Sequence, residues 1–220
     1  MNPDSRPRSA GVEVGARAPG AAGKRRLRES FRAETRGAIL AAAERALVEQ
    51  GARGARMEAI AQHAGIAVGT LYNYFADRQE LIGALFDVRR RELIEALERA
   101  IDVSEGEAFE ARLTAFLAAG LAHFRAHRAL IALVVHEELR AGAGRWPMQL
   151  EMRARAERLV AAGLEAGLLR AEDRATYPHV LIGLLRGLIE AALDSGDPGV
   201  SHEALAAAVR CFLRGAQRAP

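Results

Sequence analysis

Two short helical pieces joined by three residues constrain this chain more than any other feature. Met57, Ile60, Ala61 and Ala64 recur at i, i+3, i+4 and i+7, and Leu71 and Phe75 keep the helical spacing in the piece from Val68 to Phe75. Between them lies Gly65-Ile66-Ala67, a turn containing a glycine and an apolar residue able to plug the angle between two helices. This is the sequence form of a helix-turn-helix.

The rest of the chain agrees with a helical setting. From Phe31 onward helix formers dominate, and no stretch shows the β-branched alternation of strands, so the fold is expected to be all-α, with about nine helices. A first helix over about 31 to 50 places Ile39, Leu40, Ala43 and Leu47 on one face and ends at Gly51, a residue suited to a left-handed cap. Asp77-Arg-Gln-Glu80 reads as a capping box opening a long helix that carries Leu81, Leu85, Val88, Ile94, Leu97 and Ile101. A boundary falls at residues 102 to 107, where Ser104 and Glu107 form a second such pattern. Further helices are expected at about 105 to 127, 129 to 141, 147 to 169, 175 to 194 and 201 to 216, separated by Gly-rich turns and by Gly196-Asp-Pro-Gly199. The expected organisation is a basic, disordered arm over 1–30, a helix-turn-helix domain with its connecting helix over 31–101, and a second helical domain over 104–217.

Net charge says less than its placement. The formal charge is +3 in 220 residues, but Arg6, Arg8, Arg17, Lys24, Arg25, Arg26, Arg28, Arg32 and Arg36 crowd the front of the chain against Asp4, Glu13, Glu29 and Glu34. Such an arm suits a polyanion, because each neutralised phosphate releases counterions; a solvated tail is the alternative. A single cysteine, Cys211, excludes an internal disulfide, and no apolar run reaches the length of a bilayer span. A cytoplasmic protein is expected, without a membrane partner and without a signal peptide.

Gly51, Ile60-Ala61, Ala64-Gly65-Ile66, Gly69-Thr70-Leu71-Tyr72, Tyr74-Phe75 and Glu80-Leu81 follow one another in fixed order. Over roughly 32 to 90 this block resembles the DNA-binding domain of the TetR family of transcription regulators. The physical reading of the same residues is independent. A helix that enters the major groove must present short polar or small side chains on one face, and here that face is Val68, Gly69, Thr70 and Asn73. Asn73 suits a bidentate bond to adenine and Thr70 a thymine methyl or base acceptor, while Gly69 permits close backbone approach. The other reading of this face is an ordinary exposed helix surface.

Tyr72 and Tyr74 can reach phosphate oxygens with their hydroxyls, as the resemblance implies, or pack as core. Arg78 stands where the family commonly has lysine, in the first turn of the next helix, and is expected to hold a phosphate. Arg36 and Arg56 are further phosphate candidates, with Gln62 or His63 at the flank. Phe75 is assigned to the core. In two places the chain departs from the family, having Arg56 and Ala67 where Ser or Thr usually caps the two short helices.

The resemblance also implies a dimer built on the last two helices. Val180, Leu181, Leu184, Leu185, Leu188, Ile189 and Leu193 make one of them apolar nearly all round, and Leu205, Val209, Phe212 and Leu213 form a stripe on the other. Leu181, Leu184, Leu188, Leu205, Val209 and Phe212 are the expected interface, with Gly183 and Gly187 allowing close approach; the alternative is a single-chain core. Phe116, His123, Phe124, His127, Trp146, Met148 and Met152 are candidates for an apolar effector pocket, against a plain core role. His123 and His127 at i, i+4 could hold zinc with His136 and Glu137, but nothing fixes the remaining ligands, and neither metal nor cofactor is expected. No phosphate-cradling loop, dinucleotide fingerprint, HExxH or nucleophile elbow is present, so an enzyme is not expected. Cys211, beside the last apolar stripe, is expected to be a buried, inert thiol.

What the resemblance implies as a whole is a homodimeric repressor on a palindromic operator, released when an apolar small molecule enters the bundle and shifts the helix from Arg78 to Ile101. Two other readings stay open: a helical carrier with a degenerate helix-turn-helix, and a DNA-binding protein without ligand control.

Overall fold

The computed structural model describes residues 21–133, 147–194 and 201–216. As expected, the architecture is all-α. The helices are α1 (Ala21–Gly54), α2 (Met57–Ala64), α3 (Val68–Tyr72), α4 (Arg78–Val103), α5 (Phe109–Ala126), α6 (described over 128–133), α7 (Pro147–Glu165), α8 (Tyr177–Asp194) and α9 (His202–Ala216), with a single tighter turn at Ala171–Asp173. The expected turn at 196–199 and the expected disordered arm over its first 20 residues lie outside the described residues.

One expectation is corrected at the front. The helix predicted from 31 starts at Ala21, so 21–30 is helix and not disordered arm. The residues explain this: Ala21, Ala22, Lys24, Arg25, Arg26, Leu27 and Arg28 are strong helix formers, and Arg25 pairs with Glu29 one turn on, at 3.6 Å. The regular helix breaks where expected, at Gly51, whose φ of 67° is a left-handed value that glycine adopts without strain.

The chain divides into a unit ending at Ala38 and a unit beginning at Ile39. The second contains two apolar cores. One gathers Ile39, Leu47, Met57, Ile60, Leu71, Phe75, Leu81 and Leu85, and takes in Leu130 and Leu133 from α6. The other gathers Leu93, Leu97, Phe116, Leu117, Leu159, Leu181, Leu185, Val209 and Phe212 from α4, α5, α7, α8 and α9. The change of core falls inside α4, between Val88 and Leu93, and not at its end near 101. Charged residues mark this seam: Arg89, Arg90 and Glu92 lie between the two apolar stretches.

Caps explain the helix ends. Asp77 accepts the Glu80 amide at 2.8 Å and Glu80 accepts the Ala76 amide at 2.6 Å, so the expected capping box forms, with its return bond one residue earlier than usual. The second expected box does not form. Ser104 is buried and donates to the Ala100 carbonyl at 2.6 Å, closing α4, and α5 starts later, at Phe109, with no side-chain cap. Ser104 is therefore a C-terminal fixture, because the free carbonyls of α4 lie within reach of its hydroxyl. Beyond it, α4 lies along α7 through Glu98–Arg155 and Asp102–Arg158, each at 2.6 Å, and through Arg90–Glu151.

Candidate nucleic-acid interface

The short helices α2 and α3 stand because they share a core. Met57, Ile60 and Ala61 of α2 and Leu71 and Phe75 at α3 are buried, and the Gly65 amide, at a φ of 67°, turns back onto the Gln62 carbonyl at 3.1 Å. Ile66 packs in the angle, half-buried. Neither Arg56 nor Ala67 makes a side-chain cap, as the sequence requires. α3 closes at Tyr72, three residues short of the expected Phe75, and the chain leaves it through bonds from the Asn73 and Tyr74 amides to the Thr70 and Leu71 carbonyls.

This packing decides what faces solvent. Gly69 and Asn73 are exposed, Tyr72 keeps 48% of its surface, and Thr70 is half-buried. Open space surrounds the point where a Cβ on Gly69 would lie. Val68, assigned to the same face, is half-buried against the first core, and so is Tyr74. Arg56 is exposed at the start of α2. The Arg78 Nε donates to the Ala55 carbonyl at 2.8 Å, tying the start of α4 to the entry of α2. Arg36 is half-buried in the unit ending at Ala38. Gln62 is exposed, while His63 is engaged: it contacts the Glu49 carboxylate and the Ala59 carbonyl, both at 2.8 Å, and its pKa is raised by the Glu49 hydrogen bond first and the Ala59 contact second.

The residues expected in an effector pocket divide into three groups. Phe116, Phe124 and Met152 are buried. Trp146 and the Met148 side chain lie outside the described residues. His123 and His127 belong to something the sequence did not foretell, a charged cluster at the seam between the cores. Glu44 of α1 accepts from the Arg89 Nη2 at 2.6 Å and meets the His127 Nδ1 at 2.5 Å; Arg89 also holds Glu92 at 2.8 Å. Burial disfavours the Arg89 charge, but the bonds to Glu92 and Glu44 outweigh it and raise its pKa. His123, its ring centroid 4.6 Å from that of His127, is pushed down to about 4, by burial first and then by His127. Partners 45 and 83 residues apart leave no local pattern, so the only sequence signal was a carboxylate on the otherwise apolar, alanine-rich face of α1. Among the described residues no group of His, Cys, Asp or Glu is arranged to hold a metal ion. His136 and Glu137 lie outside those residues.

The expected subunit interface is narrowed. Leu181, Leu205, Val209 and Phe212 are buried inside the chain's own second core, which leaves Leu184 and Leu188 half-exposed. Beside these two, Val180, Gly183 and Gly187 are exposed on α8, with open space at both glycines. Cys211 is exposed, which corrects the expectation of a buried thiol: in α9 the buried positions are Leu205, Ala208, Val209 and Phe212, and Cys211 falls off that stripe.

Residues 39–85 match the family described as bacterial regulatory proteins, tetR family. The fold is similar to that of a Rhodococcus sp. RHA1 protein of unknown function, at 27% identity and a TM-score of 0.68, over 84% of this chain and 96% of that one. A TetR family transcription regulator from Marinobacter aquaeolei VT8 is similar at 22% identity and a TM-score of 0.60, over 88% of this chain and 100% of that one. The fatty acid degradation regulator FadR from Bacillus halodurans is similar at 19% identity and 0.63, over 81% and 92%. A helix-turn-helix with this order of residues thus matches the tetR family of bacterial regulatory proteins over 39–85, within a helical chain whose fold is similar to that of these proteins.

Proposed function

We propose that the protein is a transcriptional repressor that binds a palindromic operator as a homodimer and leaves it when an apolar small molecule enters the C-terminal core. One observation carries the DNA reading. Within eight residues the chain buries Leu71 and Phe75 and turns Gly69, Tyr72 and Asn73 to solvent, the division that a groove-reading helix needs. Asn73 and Thr70 are assigned to bases, with Gly69 and the exposed edge of Val68 beside them. Tyr72, Tyr74, Arg56, Arg36 and Arg78 are assigned to phosphates, which fix register and not sequence.

The α8 surface of Val180, Gly183, Leu184, Gly187 and Leu188 is the proposed dimer face. Two copies related by a twofold axis would set their α3 segments on successive major grooves, roughly 34 Å apart. No described helix is long and apolar enough to cross a membrane, and the proposed workplace is the cytoplasm, beside DNA.

The seam cluster supports the coupling. Leu130 and Leu133 of α6 pack in the first core, while α5 packs in the second and its cap residue His127 holds Glu44 of α1. An effector that displaces the end of α5 would strain that contact and the Glu44–Arg89 pair on α4, and so change the posture of α2 and α3. Effector and DNA would then weaken one another by the same coupling free energy, about 1–3 kcal/mol.

The test is to sequence the DNA retained by the purified protein and repeat the selection with Asn73→Ala. Wild type should select a twofold-symmetric site, and the variant should lose preference at one base per half-site, a discrimination of about 1–3 kcal/mol. Retention of DNA without sequence preference would favour an architectural binder, and no retention would favour a carrier.

A further inference from the structure

The unit ending at Ala38 carries a surface that, apart from Arg36, the proposed helix-turn-helix contacts leave unused. From Lys24 to Arg36 it holds six cations, Lys24, Arg25, Arg26, Arg28, Arg32 and Arg36, against two carboxylates, Glu29 and Glu34. The structure makes this segment helical, and helical geometry sorts the charges. At 100° per residue Lys24, Arg28, Arg32, Arg25 and Arg36 fall within an arc of about 120°, bordered on the Lys24 side by Phe31 and then Leu27. Lys24, Arg25, Arg26, Arg28 and Arg32 are exposed. The only carboxylate within the cationic face, Glu29, meets Arg25 at 3.6 Å with both side chains largely in water, an exposed pairing that leaves the guanidinium open to another anion.

We propose that the helix over residues 21–36 is a second DNA-binding element, sequence-independent, that tracks the phosphate backbone beside the operator. The proposal rests on the regulator reading above. A helix rises 1.5 Å per residue, so 24 to 36 spans about 18 Å, enough to pass several phosphates. Phosphate is the occupant because the surface offers charge without geometry: cations at one-turn intervals on a face with no built pocket suit a regular polyanion. An anionic membrane is the poorer match. Leu27 and Phe31, 66% and 69% exposed, are the only large apolar side chains over these turns, too few to hold a helix in a bilayer interface.

The test keeps the full chain and replaces four exposed cations that lie outside the helix-turn-helix: Lys24→Gln, Arg25→Gln, Arg26→Gln and Arg28→Gln together. Glutamine preserves helix propensity, and circular dichroism checks that folding is unchanged. Binding is measured to a duplex carrying the selected site with long flanks, across a salt series. The variant should bind about a hundredfold more weakly near 0.1 M salt, and its log–log salt slope should be shallower by about 2–3.5 units, with base preference unchanged. Backbone protection in the flanks should vanish while the half-sites stay protected. An unchanged slope and footprint with specific binding intact overturns this proposal and leaves the regulator reading standing. A loss seen only in binding to vesicles of phosphatidylglycerol, with DNA binding unaltered, overturns it in favour of a membrane surface. Absence of a specific complex in wild type instead removes the reading on which it rests.

Discussion

The two cores of the unit beginning at Ile39 are built from different residues and are assigned different ends. The first is packed around small side chains, with Ala42, Ala43, Ala46, Ala55 and Ala61 all within 1% of complete burial, so short helices approach closely and hold one another. The second is packed around Leu and Phe from five helices. The chemistry assigned to the first core is displayed on its outer surface, at Gly69 and Asn73. The chemistry assigned to the second would occur inside it, where effector and packing compete for the same volume. Small domains that present a surface must be rigid, and bundles that admit a guest must give way.

The largest effects should come from emptying each core. Phe75→Ala should destabilise the fold by about 3–5 kcal/mol in denaturant unfolding, and so should Phe116→Ala, since both rings are buried. Their consequences should part at the DNA. Phe75→Ala removes the support of the reading segment and should abolish operator binding under conditions where the chain is still folded, whereas Phe116→Ala should retain it. Equal losses of affinity in the two variants would mean the cores do not act separately.

Next in size is the cluster that joins them. Arg89→Met removes a charged partner of Glu44, whose side chain is 15% exposed, and should cost about 2–4 kcal/mol. A double-mutant cycle with Glu44→Gln should return a coupling of at least about 1 kcal/mol. Additivity would dissolve the seam as a physical link between the two cores.

Acid sharpens the same point. The His123 pKa is about 4 in the fold against 6.5 when unfolded, with His127, Glu92, Arg89 and Glu44 around it. Between these values the unfolded chain takes a proton that the folded chain refuses. The stability is therefore full above about pH 6.5 and falls with acidification toward pH 4. With about 1.4 kcal/mol per unit and a discount for partial exposure, His123 accounts for about 2 kcal/mol of that loss. His123→Phe should remove that part of the pH slope, read as the difference between the two proteins' unfolding curves. The sign is opposite at His63, where the raised pKa adds stability below 6.5 that is lost as pH rises through the raised value.

The first core was legible in the sequence because its constraints are local. Gly51, Gly65 and the spacing of Met57, Ile60 and Ala61 act within a few residues, so pattern alone placed the turn and, of the four residues expected on one face, Gly69 and Asn73 at the surface. The early start of α1 was missed because mixed Pro, Gly and Arg before it masked the helix formers from Ala21 onward. Elsewhere the decisive partners are remote. Ser104 reads equally well as the start of one helix or the stop of another, and only the fold brings it to the Ala100 carbonyl. Leu181, Leu205, Val209 and Phe212 carry the same apolar pattern whether they face a neighbour in the chain or a second subunit, and periodicity does not distinguish the two.

The smallest expected effects give the cleanest contrast, because two glycines invite the same substitution with opposite results. At Gly120 in α5 an added Cβ would lie 2.6 Å from the Leu185 Cδ2, so Gly120→Ala must displace the buried Leu185 side chain or part α5 from α8, and should destabilise by about 1–3 kcal/mol. At Gly69 in α3 an added Cβ meets nothing within 4 Å, and alanine is the better helix former, so Gly69→Ala should stabilise by about 0.5–1 kcal/mol. Operator affinity should move the other way, falling as the methyl group holds the α3 backbone off the floor of the groove. A protein made more stable and less able to bind DNA by one methyl group is hard to explain unless that face meets the duplex. A Gly69→Ala variant that binds its operator as tightly as wild type would mean that some other surface does the reading.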